Sequence, residues 1–130
     1  MHAFYSPKEE DFEAVKEGLK FAKIIEGEDG SFRAGYTLRV PGYKSERFLW
    51  MDEFFLCLRG KLRIAVSHPP SYQEKVFELN PGDVLFQGRG SRVRYEVIAK
   101  EPTLVFYVEI PSSEKGMRHE IFRSQETGSV

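Results

Sequence analysis

Two apolar runs meet near the middle of the chain. The first, 46–58, reads Glu46-Arg47-Phe48-Leu49-Trp50-Met51-Asp52-Glu53-Phe54-Phe55-Leu56-Cys57-Leu58, and after Arg59-Gly60 the second reads Lys61-Leu62-Arg63-Ile64-Ala65-Val66. Gly60 supplies the positive φ that a tight reversal requires. The aromatic and branched residues on either side predict a hairpin, 47–58 with 61–67, buried on both faces. Period-two patterning continues around it. Phe32–Val40 places Ala34, Tyr36, Leu38 and Val40 on one face, and Glu74–Leu79, Val84–Gln87, Arg92–Ile98 and Thr103–Ile110 are further predicted strands. Turns fall at Gly27-Glu28-Asp29-Gly30, Pro41-Gly42, Asn80-Pro81-Gly82-Asp83 and Gly88-Arg89-Gly90-Ser91, with a Pro69-Pro70 stop between strands.

The first thirty residues follow a different rhythm. Phe12, Val15, Leu19 and Ala22 recur at helical spacing behind Ser6-Pro7, a capping residue before a proline. They predict either a short helix near 7–18, weakened by Gly18, or an arm lying across the sheet. The tail 112–130 is polar, with a last short strand at His119–Phe122 and fraying from Ser124. About eight short strands with frequent turns and no long helix define an all-β sandwich or barrel, with a jelly roll as the architecture.

A chain of 130 residues with 41% hydrophobic content, 11 Phe and 6 Tyr can close a packed core as one domain, 1–130. Its core spans about 32–111, its arm 1–30 and its tail 112–130. A net charge of −1 argues against a nucleic-acid binder that works by overall field, and the basic string Arg89, Arg92, Arg94 and Lys100 reads as a solvated face. No apolar run is long enough to span a membrane, and the N-terminus lacks a signal peptide's apolar stretch. A single cysteine, Cys57, forms no internal disulfide and reads as an inert buried thiol. The expected compartment is the cytoplasm.

Within the first apolar run, the acidic pair Asp52-Glu53 stands out, because a buried charge is costly unless it is paired or used. Downstream, Leu79-Asn80-Pro81-Gly82-Asp83-Val84 followed by Gly88-Arg89-Gly90-Ser91 resembles the second cupin motif. Glu53, with Gly60 seven positions later, resembles the Glu and closing Gly of the first. The resemblance covers roughly 32–111 and implies a cupin jelly-roll barrel. It also implies where metal ligands would stand, and these positions are altered. The two early histidines fall on Glu46 and Phe48 or on Arg47 and Leu49, and the third falls on Val93, leaving only Glu53. His2, His68 and His119 do not stand at ligand spacing, so no metal or other cofactor is expected. Trp50-Met51-Asp52-Glu53 before Leu58-Arg59-Gly60 is similar to the ethanolamine-utilization, EutQ-like cupins. Those are associated with ethanolamine catabolism and an acetate-kinase-like activity.

If Glu53 points inward, Arg47, Leu49, Met51, Phe55 and Cys57 share its face, and Val93, Tyr95 and Val97 face in from a later strand. Tyr36, Gln87 and either Phe106 or Tyr107 complete the candidates. Such an interior suits a small organic molecule. Glu53 is then a general acid or base, or a structural acid paired with Arg47 or a tyrosine. Arg47 is an anion clamp or that partner. Tyr95 is a proton donor, while Tyr36, Phe55, Gln87 and Tyr107 position the ligand. Two functions follow: a metal-poor enzyme performing proton transfer on a small anionic metabolite (isomerase, lyase or hydrolase), or a non-catalytic small-molecule-binding or scaffold protein. The second apolar face of 47–58 predicts a homodimer, with an exchanged N-terminal arm as one form.

Overall fold

A computed structural model describes residues 2–111, so the strand expected at 119–122 and the polar tail lie outside the described residues. Ten strands follow one 3₁₀ turn, Glu9–Asp11: β1 (Glu13–Lys16), β2 (Leu19–Glu26), β3 (Arg33–Arg39), β4 (Lys44–Phe48), β5 (Asp52–Arg59), β6 (Leu62–Ser67), β7 (Glu74–Leu79), β8 (Val84–Gln87), β9 (Arg92–Val97) and β10 (Thr103–Ile110). They form a six-stranded sheet, β1-β2-β3-β10-β5-β8, and a four-stranded sheet, β4-β9-β6-β7. All pairings are antiparallel. The two sheets face each other as a jelly roll, and their inner faces meet in a core that includes Leu49, Phe55, Leu62, Ile64, Val93 and Val105. Among the described residues no helix is long and apolar enough to cross a membrane.

The expected helix at 7–18 does not form. Glu13–Lys16 pairs instead with the start of β2, and Gly18 (φ +83°) makes the reversal between them. Phe12, Val15, Leu19 and Ala22 fit a helical period, but so short an amphipathic stretch is decided by the sheet edge it can join.

The central apolar runs are not a hairpin. β5 pairs with β10 and β8 while β6 pairs with β9 and β7, so Arg59-Gly60-Lys61 carries the chain from one sheet to the other. Gly60 does take positive φ (+86°), and a Cβ there would run into Thr103. A tight reversal between apolar strands reads the same in sequence whether it stays in one sheet or rounds the barrel edge. The long first run also splits at Leu49-Trp50-Met51, giving β4 to the small sheet and β5 to the large one. Alternation survives the crossing: Leu49, Met51, Glu53, Phe55 and Cys57 are all buried, whereas Trp50, Phe54 and Leu58 are exposed.

The two motif turns brace β5 from outside. Gly82 (φ +94°) turns beside Asp83, whose Oδ2 accepts from the Asn80 amide at 2.8 Å. The Gly82 amide donates to the Cys57 carbonyl at 2.8 Å, and the Cys57 amide donates to the Asp83 carbonyl at 3.0 Å. In the second turn the Arg89 amide donates to Asp52 Oδ1 at 2.8 Å, and Gly90 donates to the Leu49 carbonyl at 2.9 Å. The acidic pair is thus divided: Asp52 fastens a turn and Glu53 enters the barrel.

Candidate functional site in the barrel interior

Glu53 is 1% exposed. The Arg47 Nη1 donates to its Oε1 at 2.9 Å, from the other sheet and across the chain crossing. Beside Glu53 in register on β8 is Gln87, fully buried, whose Oε1 accepts the Tyr95 hydroxyl at 2.6 Å. Tyr95 stacks on Phe55 with ring centres 5.4 Å apart. Glu53, Arg47, Gln87, Tyr95 and Phe55 therefore form one contiguous group drawn from both sheets. Tyr107 is also buried, next to Phe55 in register, with the Arg33 guanidinium 5.8 Å from its ring centre. Burial pushes its hydroxyl well above the ordinary phenol value; nearby Arg33 pulls it down, and Glu109 and Glu53 push it up.

Tyr36 does not join them. It lies on the outer face of the six-stranded sheet, stacked on Tyr5 at 6.2 Å and edge-on to Phe106 at 5.4 Å. Phe106 shares that outer face, so Tyr107 is the inward member of the Phe106/Tyr107 alternative. The reason is an inversion of β3: Ala34, Tyr36 and Leu38 lie on its outer side, Tyr36 and Leu38 only half-buried, while Arg33, Thr37 and Arg39 are buried on the inner side. Alternation defines two faces but does not say which one is covered.

That inversion brings in a further residue, on the face of the strand opposite Tyr36 and Leu38. Arg39 is 3% exposed, with its guanidinium 5.4 Å from the Phe55 ring centre and 5.3 Å from that of Tyr95. Its Nη1 donates to Thr37 Oγ1 at 2.6 Å, while its Nε has no hydrogen-bond partner among the described residues. Burial pushes it below the ordinary arginine value, Tyr95 and Tyr43 counter this, Arg47 adds to it, and Glu53 opposes it. It stays charged nonetheless. Its signal in the sequence was Arg33, Thr37 and Arg39 recurring at period two on a strand whose other face is apolar.

No protein-family model matches the sequence, and no curated protein matches it significantly. Solved structures do match. The Cnp3 cupin domain of Schizosaccharomyces pombe is 23% identical with a TM-score of 0.64, covering 80% of this chain and 72% of that one. KdgF from Halomonas sp. is 12% identical with a TM-score of 0.71, covering 88% and 98%. The ethanolamine utilization protein Q of Salmonella typhimurium is 22% identical with a TM-score of 0.57, covering 72% and 70%. The fold is that of a small cupin. EutQ is one of several structural neighbours, and at these identities the likeness establishes architecture rather than chemistry.

At the inward-facing positions 47, 49 and 93, where the cupin resemblance would put histidine ligands, the described side chains carry no metal donor. Val93 has no donor atom, Leu49 has none, and Arg47 presents a guanidinium that already occupies Glu53. Among the described residues no group of three or more His, Cys, Asp or Glu could hold an ion. His68 is exposed in a loop, and a site shared by Glu53 and His119 would lie outside the described residues.

Proposed function

We propose that this cupin fold binds a small anionic metabolite inside the barrel and carries out proton-transfer chemistry on it, of isomerase, lyase or hydrolase type, without a metal. The observation that carries this reading is the placement of the Arg47–Glu53 ion pair beside the Tyr95–Gln87 hydrogen bond inside the barrel, next to the apolar core. In it Arg47 anchors the anion, Glu53 moves the proton, Tyr95 acts as its acid counterpart, and Gln87, Phe55 and Tyr107 position the ligand. A thermal-shift screen of anionic metabolites, with ethanolamine-pathway compounds included, identifies the ligand, and a turnover assay on each hit follows. Glu53→Gln is expected to lower turnover by about a hundredfold or more while the protein still binds. A Glu53→Gln protein that retains the rate would refute the catalytic role.

A second reading, a binding or scaffold protein without catalysis, is favoured by the Arg47–Glu53 ion pair itself, since a carboxylate oxygen already occupied by a guanidinium 2.9 Å away is not open to a ligand proton. It predicts ligand uptake without turnover in the same assays.

The protein is further proposed to act as a homodimer through the outer face of the six-stranded sheet. Phe54, Leu58, Val84, Phe86 and Ile110 are exposed there, on adjacent strands, with Phe54 and Phe86 rings 5.0 Å apart. The arm already seats Tyr5 on Tyr36 at one side of this face. A cytoplasmic location is proposed from the single cysteine, Cys57, which is buried and forms no disulfide.

A further inference from the structure

Among the described residues the fully buried charged side chains are Arg33, Arg39, Glu53 and Glu109. Two half-buried cations join them, Arg47 on Glu53 and Lys16 at the end of β1. Arg33 lies beside Glu109 in register, and Arg47 is bonded to Glu53, so those four charges balance. Arg39 and Lys16 remain. No carboxylate among the described residues is within ion-pair distance of either, although Glu53 attracts Arg39 from farther off.

These two cations are neighbours. Leu19 pairs with Lys16 on one side and with Arg39 on the other, so the three residues form a row across β1, β2 and β3. Lys16 Nζ lies over the Tyr43 ring at 5.8 Å, at the rim. Burial holds its ammonium below the ordinary lysine value, and the nearby charges of Arg47 and Arg39 add to that. Deeper in, the buried donors without a hydrogen-bond partner among the described residues include Arg39 Nε and Gln87 Nε2. An uncompensated cation and idle donors in a low-dielectric interior are costly unless a ligand supplies the missing negative charge.

We propose that Arg39 and Lys16, with Arg47 beside them, form a receptor for a small dianion, a phosphate monoester or a dicarboxylate, whose two charges neutralise the excess. This deepens the anionic-metabolite reading by fixing the charge of the ligand and naming two binding residues. Arg39 grips the buried end of the ligand through its in-plane Nε–H, its guanidinium packed against the Phe55 and Tyr95 rings. Lys16 closes the rim.

Titration calorimetry at fixed ionic strength tests this, with inorganic phosphate, succinate and acetate as probes. Phosphate or succinate is expected to bind one per chain, at least about tenfold more tightly than acetate. The preferred probe distinguishes phosphoryl from dicarboxylate recognition. Arg39→Gln is expected to weaken binding about ten- to a hundredfold, and Lys16→Gln, at the half-exposed rim, about threefold. Glu53→Gln is expected to tighten dianion binding several-fold, because it removes a negative charge from the same chamber, an effect that mere structural damage would not produce. Should Arg39→Gln fail to fold, Lys16→Gln and Glu53→Gln carry the test. Equal affinity for acetate and the dianions, unchanged binding in Lys16→Gln, or weakened binding in Glu53→Gln would each overturn the proposal. Loss of catalysis as a reading depends instead on the turnover assay and would leave dianion binding intact.

Discussion

Arg47 and Glu53 face one another at 2.9 Å although they belong to different sheets, six residues apart along the chain. The carboxylate is almost completely enclosed (2% of its side chain exposed) whereas the guanidinium keeps 15%. Their removal is therefore asymmetric. Arg47→Met strands a buried anion and is expected to cost about 3–5 kcal/mol, whereas Glu53→Gln leaves a cation with some access to water and is expected to cost less. The double replacement Arg47→Met with Glu53→Gln should recover much of the larger loss. Denaturant unfolding of the four proteins in a double-mutant cycle measures this, and equal single losses would contradict it.

Asp52 separates from its neighbour in role. Its carboxylate receives the Arg89 amide at 2.8 Å, so Asp52→Ala is expected to cost about 1 kcal/mol and Asp52→Asn, which keeps an acceptor oxygen, less. Neither should change dianion affinity. A binding defect in Asp52→Asn measured by calorimetry would show that the second motif turn reaches the ligand.

Stability should fall in alkali. Burial raises the Tyr107 hydroxyl and the Cys57 thiol above their ordinary values, 10.0 and 9.0. Above those values the unfolded chain releases protons that the folded chain retains, so the stabilisation is complete below them and is lost as pH rises. Each group contributes a slope of up to about 1.4 kcal/mol per pH unit. Urea unfolding from pH 8 to 11 should show the decline, with Tyr107→Phe flattening its upper part. A Tyr107→Phe profile as steep as the parent's above pH 10 would contradict this.

The exposed apolar sheet face gives a solution prediction. Phe54→Glu and Phe86→Lys, each placed on that face, should convert the protein to monomer, and the pair together should restore dimer only if the two positions meet across the interface. Light scattering behind size exclusion at micromolar concentration reports the mass. A parent protein that is already monomeric would remove the dimer.

Much of this architecture was legible in the sequence. Strands 74–79, 84–87 and 103–110 were readable to the residue because Pro, Gly and Asn bracket them, and the inward set Leu49, Met51, Glu53, Phe55 and Cys57 followed from period two alone. The pairing partners of β5 and β6 were not legible, since a three-residue reversal carries no record of which sheet it enters. Nor was Arg39, because hydropathy assigns the apolar side of a strand to the core. In β3 the assignment reverses, with an aromatic exterior and a charged interior. A strand whose greasy side is outside and whose ionic side is inside satisfies neither the rule for a surface strand nor that for a core strand. Its polar residues mark the binding candidate and its apolar residues the interface candidate.

The crossing at Leu49-Trp50-Met51 ties the walls of the chamber together with a short leash. Because one continuous segment supplies a cation to one wall and an anion to the other, the walls cannot part or slide without lengthening the Arg47–Glu53 contact. An anion that draws Arg47 away from Glu53 would break the ionic contact that joins the two sheets at this crossing.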